Sequence, residues 1–310
     1  MVDSGLAMST PSTPPTVIYV AGSGRSGSTL LDLLLGEREG IVSCGQVYNL
    51  WVVAAKNHYC GCGERAWDCP FWGPILHSMD LDGLPLDEVR LDLREATRPR
   101  NILHNYALSD WPRSATSKYD RILSRLPAVY KGIREQSGAS VIVDSSKKPA
   151  YLAMLAKYGE VDVKVVHLVR DARGVAFSWT KKKRITPEES QQVLHLAQYA
   201  PAATALRWWV NVFPGLFEPR RSLRVRYEDL AADPDGVVDQ ILDATLGEVR
   251  RKVDGAGTAH IIDGNPIRLE RGPRKIKVDE AWRRDMPLGQ RVLVSAINAP
   301  LLLRYGYSIV

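Results

Sequence analysis

Four cysteines in 310 residues exclude a disulfide-built scaffold, and a chain of this length buries a core without such staples. Long apolar runs are absent. Of the long uncharged stretches, Ser4 to Gly24 is broken by Pro11, Pro14 and Pro15, and Ser190 to Leu206 contains Gln191, Gln192, His195, Gln198 and Pro201, so no segment reads as a bilayer span. The first residues lack a basic region followed by an apolar one, and no secretory leader is expected. Charge of one sign is also scarce. The 41 Lys+Arg against 35 Asp+Glu leave +6, too weak and too dispersed to mark a nucleic-acid binder, yet compatible with a small anionic ligand. No internal repeat is visible. The expectation is a cytoplasmic protein with no integral membrane segment and no nucleic-acid partner. Oligomeric state is not legible.

What is present has ordinary globular proportions, 45% hydrophobic and 25% charged. Met1 to Pro15 is Ser/Thr/Pro-rich and reads as a disordered tail (1–15), followed by one domain over 16–310. Val17-Ile18-Tyr19-Val20-Ala21 is an apolar run ending in a Gly/Ser cluster, the pattern of a strand buried on both faces. Thr29 to Leu35 then reads as a helix. The same grammar recurs where Ser140-Val143 ends in Asp144-Ser145-Ser146, where Val163-Val169 ends in Arg170-Asp171, and where Leu223-Tyr227 ends in Glu228-Asp229. Apolar strands alternating with helices imply an α/β fold, a parallel β-sheet flanked by helices on both faces. Ligands of such folds bind beyond the carboxyl ends of the strands, so the polar clusters there are the candidate sites. Residues 52–136 differ in character, with Trp67, Trp72, Trp111, three cysteines and the basic Arg94, Arg98 and Arg100. They read as an insertion that covers the strand ends and lines an acceptor pocket.

Gly22-Ser23-Gly24-Arg25-Ser26-Gly27-Ser28-Thr29 follows a strand and opens a helix. Its spacing is that of a P-loop whose lysine is replaced by Ser28. Such a loop offers a nest of backbone N–H groups at a helix N-terminus to an anionic oxygen cluster. A nucleotide triphosphatase needs the missing lysine and a magnesium ion. Here the cation is Arg25, inside the loop, which suits an anion clamped by a guanidinium with no metal required.

These residues resemble a known family. Gly24-Arg25-Ser26-Gly27-Ser28-Thr29 is similar to the 5′-phosphosulfate loop of sulfotransferases that use 3′-phosphoadenosine-5′-phosphosulfate (PAPS). Leu168 to Trp179 looks like their 3′-phosphate motif, whose leading Arg and Ser map onto Arg170 and Ser178. Val143-Asp144-Ser145-Ser146-Lys147, Arg226-Tyr227-Glu228-Asp229-Leu230, and the stretch from His260 through Gly264-Asn265-Pro266-Ile267-Arg268 to Trp282 resemble bacterial members. The resemblance runs from about Val17 to Trp282. It implies a P-loop-like sulfotransferase fold, PAPS as co-substrate, PAP (3′-phosphoadenosine-5′-phosphate) as product, and transfer to a hydroxyl, less readily an amine, of a small-molecule or glycoconjugate acceptor.

The resemblance also distributes roles. Arg25 would neutralise the leaving phosphate, and Gly24, Ser26, Gly27, Ser28 and Thr29 would hold the 5′-phosphate. Lys147 would be a second cation, with a solvated lysine beside Lys148 as the bland reading. Asn265 and Arg268 would close over the nucleotide. Related bacterial sequences often carry Gly-Glu where this chain has Gly45-Gln46, and Gln46 cannot accept a proton at neutral pH. Either Gln46 only orients the acceptor, or the base lies elsewhere, or the chain is impaired or has drifted in acceptor chemistry. Asp144 is the best remaining carboxylate; His58 and His104 have only residue type in their favour. Cys60-Gly61-Cys62 with Cys69-Pro70 could clip a metal or form a disulfide, but the Cys-x-Cys spacing departs from the usual metal-ligand gap and Cys44 is distant; a similar stretch in related bacterial sequences implies a loop-stabilising thiol cluster, and no metal site is assigned. Lys181-Lys182-Lys183-Arg184 reads as a helix end or a basic mouth. Trp208-Trp209 with Phe213 and Phe217 reads as packing, and Tyr227 as an adenine contact or a loop anchor. The competing functions are a P-loop small-molecule kinase and a non-catalytic nucleotide-binding protein.

Overall fold

The computed structural model describes residues 13–79, 81, 84–98, 101, 120–181, 200–212, 222–253, 259–270 and 276–309. Residues 1–12 of the expected tail, and Arg100, His104, Trp111, Lys182, Lys183, Arg184, Phe213 and Phe217, lie outside the described residues.

Five parallel strands form one sheet in the order β2-β3-β1-β4-β5. They are β1 (Thr16–Gly22), β2 (Ile41–Ser43), β3 (Val141–Lys147), β4 (Asp162–Val169) and β5 (Ser222–Arg226). β1 is central, and alternation sends its side chains into two cores. Val17, Tyr19 and Ala21 face one apolar layer, and Ile18 and Val20 face the other. The expected α/β architecture is the one found. The first layer is built with the helices Leu50–Lys56, Trp72–Ser78, Leu86–Ala96 and Leu126–Ser137, which all fall in or overlap residues 52–136. The opposite layer holds Leu30, Leu31, Leu34 and Leu35 of the helix Ser28–Leu35, with Val238, Ile241 and Leu242 of Pro234–Leu246. A third cluster joins Ala172–Thr180, Pro201–Trp208 and Leu288–Arg304 around Trp208 and Trp282.

Strand boundaries follow the apolar runs, with one correction. β3 does not stop at Val143 but continues through Asp144-Ser145-Ser146-Lys147. The side chains of Asp144 and Ser145 find buried partners distant in sequence, Tyr130 and Asp32, so the polar residues sit in extended backbone without losing hydrogen bonds. The register with β1 slips here, from Tyr19 opposite Asp144 to Ala21 opposite Lys147, as at a bulge. β2, only three residues long, carries no periodic pattern and escapes sequence reading.

Candidate active site

The β1 turn sets the site. Gly22 has φ 146°, and a Cβ there would collide with the Leu168 carbonyl oxygen. Only glycine lets β1 run this close to β4 and still turn. Gly27, at φ 94°, precedes the helix Ser28–Leu35, and a Cβ there would meet the Tyr227 ring at 2.6 Å. Between them Arg25 holds φ 69°, a left-handed conformation that a side-chain-bearing residue adopts at a cost. Its guanidinium lies 4.8 Å from the Trp179 ring centroid, and burial lowers its pKa. Ser26 is fully buried, and its hydroxyl donates to the Ser23 carbonyl at 2.8 Å, so it braces the loop from within. Ser28 and Thr29 begin the helix; the Thr29 hydroxyl accepts the Asn265 N–H at 3.1 Å.

A second cation converges on this loop. Arg170, just past β4, is buried and donates from Nη1 to the Arg25 carbonyl at 3.1 Å. Its guanidinium stacks 4.3 Å from the Tyr227 ring centroid. Nη2 donates to the Asp279 carboxylate at 3.1 Å, and Lys181 Nζ lies 3.5 Å from the same oxygen. Burial would raise the Asp279 pKa, but hydrogen bonding and charge from Arg170, aided by Lys181, hold it below the ordinary value. The partner of Arg170 is therefore Asp279, not the neighbouring acids. Asp171 caps the helix Ala172–Thr180 and pairs with Arg173 at 2.7 Å, while Glu228 accepts from Tyr307. Ser178 sits half-buried in the last full turn of that helix.

Beneath the loop lies a buried polar knot. Asp32 accepts from the hydroxyls of Ser43 and Ser145, and Asp144 from the Ser146 hydroxyl and, at 2.6 Å, from Tyr130. Burial pushes Asp32 up to about 7 and Asp144 to about 6, against the lowering effect of these hydrogen bonds. Lys147 follows, with φ 69°, its Nζ donating to the Ser145 carbonyl at 2.9 Å. Burial lowers it to about 8, opposed by Asp263, Asp32 and Asp144. It is not a solvated surface lysine.

Asp263 comes from a strap, 259–270, whose Ile262 N–H donates to the Cys44 carbonyl just past β2. Gly264 passes so near the Ser28–Leu35 helix that a Cβ would reach Thr29 Oγ1 at 2.8 Å. Asp263 Oδ2 accepts from Gln46 Nε2 at 2.8 Å and from the Asn49 amide. A carboxylate thus stands one hydrogen bond from Gln46 and close enough to Lys147 to favour its charged form.

The model of the Sulfotransferase family matches residues 15–247. The chain belongs to the sulfotransferase family. Among solved structures, the sulfotransferase domain from the Synechococcus PCC 7002 olefin synthase shares the fold at 21% identity. The alignment covers 93% of this chain and 95% of that one, with a TM-score of 0.50. The sulfotransferase domain from the curacin biosynthetic pathway aligns over 96% and 99% at 17% identity, TM-score 0.47. No curated protein matches.

In this sulfotransferase-family chain, the structure gathers Gly24, Arg25, Ser26, Gly27, Ser28, Thr29 and Arg170 around one turn, with Lys147 at the adjoining strand end. Asp144 stands apart from open space. It has no exposed surface, and both its oxygens accept protein hydrogen bonds. Arg268 points into the strap, donating to the Ile261 carbonyl at 2.9 Å, and burial lowers its pKa against the opposing charge of Asp263. Asn265 caps the short helix Pro266–Leu269 through Ile267 N–H. Tyr227 anchors the loop glycine, and Trp208 is core, its indole N–H donating to the Arg170 carbonyl, whereas Trp209 is exposed. His58 lies in the turn after Leu50–Lys56, its backbone bonded to Val53 and Ala66. Sequence reading missed Asp263 and Asp279. Their partners are 217 and 109 residues away, so no local spacing announces them. A cavity of about 480 Å³ between Asp162, Lys164, Ser222 and Thr245 lies at the amino ends of β4 and β5. That is the opposite edge from the loop, and parallel sheets bind ligands at the carboxyl edge. Among the described residues no helix is long and apolar enough to cross a membrane.

Proposed function

We propose that this chain transfers a sulfuryl group from PAPS to a hydroxyl of a small-molecule or glycoconjugate acceptor and releases PAP. The observation that carries the reading is the meeting of two guanidinium-bearing residues on one glycine turn, Arg170 bonding the Arg25 backbone at 3.1 Å. Two fixed cations and a nest of N–H groups suit a ligand with phosphate at both ends, and the loop has no ammonium of the kind that serves ATP. Sulfuryl transfer, like phosphoryl transfer, spreads negative charge over equatorial and leaving oxygens. Positioned cations and dipoles therefore supply most of the catalysis.

In this reading Arg25 and Lys147 neutralise the departing 5′-phosphate oxygen, and Arg170 with Ser178 holds the 3′-phosphate. The acceptor oxygen bonds to sulfur, the bond from sulfur to the phosphate oxygen breaks, and the hydroxyl proton passes to Asp263. Gln46 and Asn49 orient that carboxylate instead of serving as base. Asp263 replaces Asp144, the carboxylate expected from the sequence, because Asp144 is sealed by Tyr130 and Ser146.

The test is titration with PAP, PAPS and ATP, each with and without Mg²⁺, followed by PAP release from PAPS over a panel of hydroxylated acceptors. Metal-independent PAP binding and acceptor-dependent release are expected. Mg²⁺-dependent ATP binding without PAP binding would replace the reading with a kinase, and PAP binding without turnover would leave a nucleotide binder.

A further inference from the structure

We infer that Cys60, Cys62, Cys69 and His260 form a tetrahedral zinc site that clamps the covering segment to the strap. The inference is independent of the sulfuryl-transfer reading. The three sulfurs and the His260 Nδ1 all lie within 4.8 Å of one another. Cys62 Sγ is 3.6 Å from Cys69 Sγ, and His260 Nδ1 is 3.3 Å from Cys69 Sγ and 3.7 Å from Cys60 Sγ. Zinc–sulfur bonds of about 2.3 Å and a zinc–nitrogen bond of about 2.0 Å at tetrahedral angles require S···S near ~3.8 Å and S···N near ~3.5 Å. The three measured separations fall close to those values. Four donors converging at the corners of one small tetrahedron exceed what packing alone asks of three thiols and an imidazole.

The surroundings are those of a built site. Cys60-Gly61-Cys62 turns tightly, with Gly63 N–H on the Cys60 carbonyl and Cys60 N–H on the Glu64 carbonyl. Gly61 N–H also donates to the Ile261 carbonyl at 2.9 Å, and a Cβ on Gly61 would lie 2.6 Å from the Ala259 carbonyl oxygen. Glycine is what lets the two cysteines flank it against the strap, and this offsets the short Cys-x-Cys gap that argued against metal. Trp72 N–H donates to Cys69 Sγ at 3.4 Å, as backbone amides do to metal-bound thiolates. His260 is fixed from both sides: Phe71 stacks on its ring at 5.2 Å between centroids, and Trp72 Nε1 donates to its carbonyl at 2.6 Å. Cys60 and Cys69 are buried, whereas Cys62 and His260 are half-buried, leaving an access path for the ion. Three thiols would lose protons on binding, and the neutral imidazole would complete a closed structural set with no open position. Cys44, buried near Asp32 and Asp144, takes no part. The ion would hold the strap three residues before Asp263.

The experiment uses the full chain purified reduced, without chelator, and measures zinc by elemental analysis. About one zinc per chain is expected. Replacement by Co²⁺ should give the strong visible bands and thiolate charge-transfer absorption of a tetrahedral sulfur-rich site. Cys62→Ser and His260→Ala should lower zinc retention against a chromophoric chelator about tenfold or more. His260→Cys should keep the ion, and Cys44→Ser should leave retention unchanged. The cobalt spectrum is read on the unaltered chain, so a variant that fails to fold does not blunt the test. The inference is overturned if the reduced chain takes up neither Zn²⁺ nor Co²⁺, if the cobalt spectrum is octahedral, or if a Cys62–Cys69 disulfide is trapped by alkylation at lysis.

Discussion

Asp263→Asn, alone and combined with Gln46→Glu, tests the proton acceptor. Asparagine is isosteric with aspartate, and its Oδ1 can still accept the Gln46 and Asn49 amides that Asp263 Oδ2 accepts now. The fold and PAP affinity should hold, while the group that takes the acceptor proton is gone. General-base catalysis contributes roughly 10²–10⁴-fold, so PAP release should fall by that order. Lys147 should titrate below its present value of about 8, since Asp263 favours its charged form. Gln46→Glu alone sets two carboxylates about one hydrogen bond apart, where 2.8 Å separates the atoms now. Coulomb's law at an effective dielectric of 20 gives about 6 kcal/mol of repulsion, roughly four pKa units, so the pair should share one proton through neutral pH. The double variant carries its single carboxylate at position 46 and an amide donor at position 263, reversing the polarity of the same contact. Activity should return to within about tenfold of the parent. The assay is the pH dependence of acceptor-driven PAP release, with calorimetric PAP binding as the control. An Asp263→Asn chain that turns over at the parental rate refutes the assignment.

Arg25→Ala should abolish transfer, by about 10³-fold or more, yet retain part of the PAP affinity through the loop amides and Arg170; full turnover removes Arg25 from the chemistry. Asp279→Asn releases Arg170 and Lys181 from a competing carboxylate, so PAP should bind about five-fold tighter, equivalent to about 1 kcal/mol. Unchanged or weaker binding by calorimetry would show that Arg170 does not meet the phosphate. Asp32→Asn addresses stability. The folded pKa of Asp32 is raised to about 7, so the native state holds the proton more tightly than the unfolded chain, and stability is lost as pH rises from about 4 through 7. The penalty above pH 7 is at most about 4 kcal/mol, partly offset by Lys147, so the variant should gain about 1–3 kcal/mol at pH 8 and roughly a third of that at pH 5 in urea unfolding. Equal changes at both pH values would contradict the buried-acid account.

The parts of this protein that were legible in its sequence are those whose causes are local. β1 announces itself because both faces are buried, and the turn because Gly22 and Gly27 must take conformations closed to other residues. The end of β3 was misjudged because Asp144 and Ser145 look like a turn until Tyr130 and Asp32 are seen to satisfy them. The same holds for Asp279 beside Arg170, Asp263 beside Gln46, and His260 among the cysteines: each is a pairing across a hundred residues or more, with no spacing to betray it. His260 and Asp263 also lie beyond the stretch that the family model matches.

Arg25 and Lys147 share one backbone peculiarity, φ 69°. Glycine would occupy either place with ease, and would erase the charge. Replacing Arg25 by glycine should harden the protein against heat by about 1 kcal/mol while silencing it; at Lys147 the relief is outweighed by the buried acids left without their cation. Selection for thermal tolerance alone would therefore drift toward an inert molecule, and any campaign to toughen this chain has to score turnover at every round.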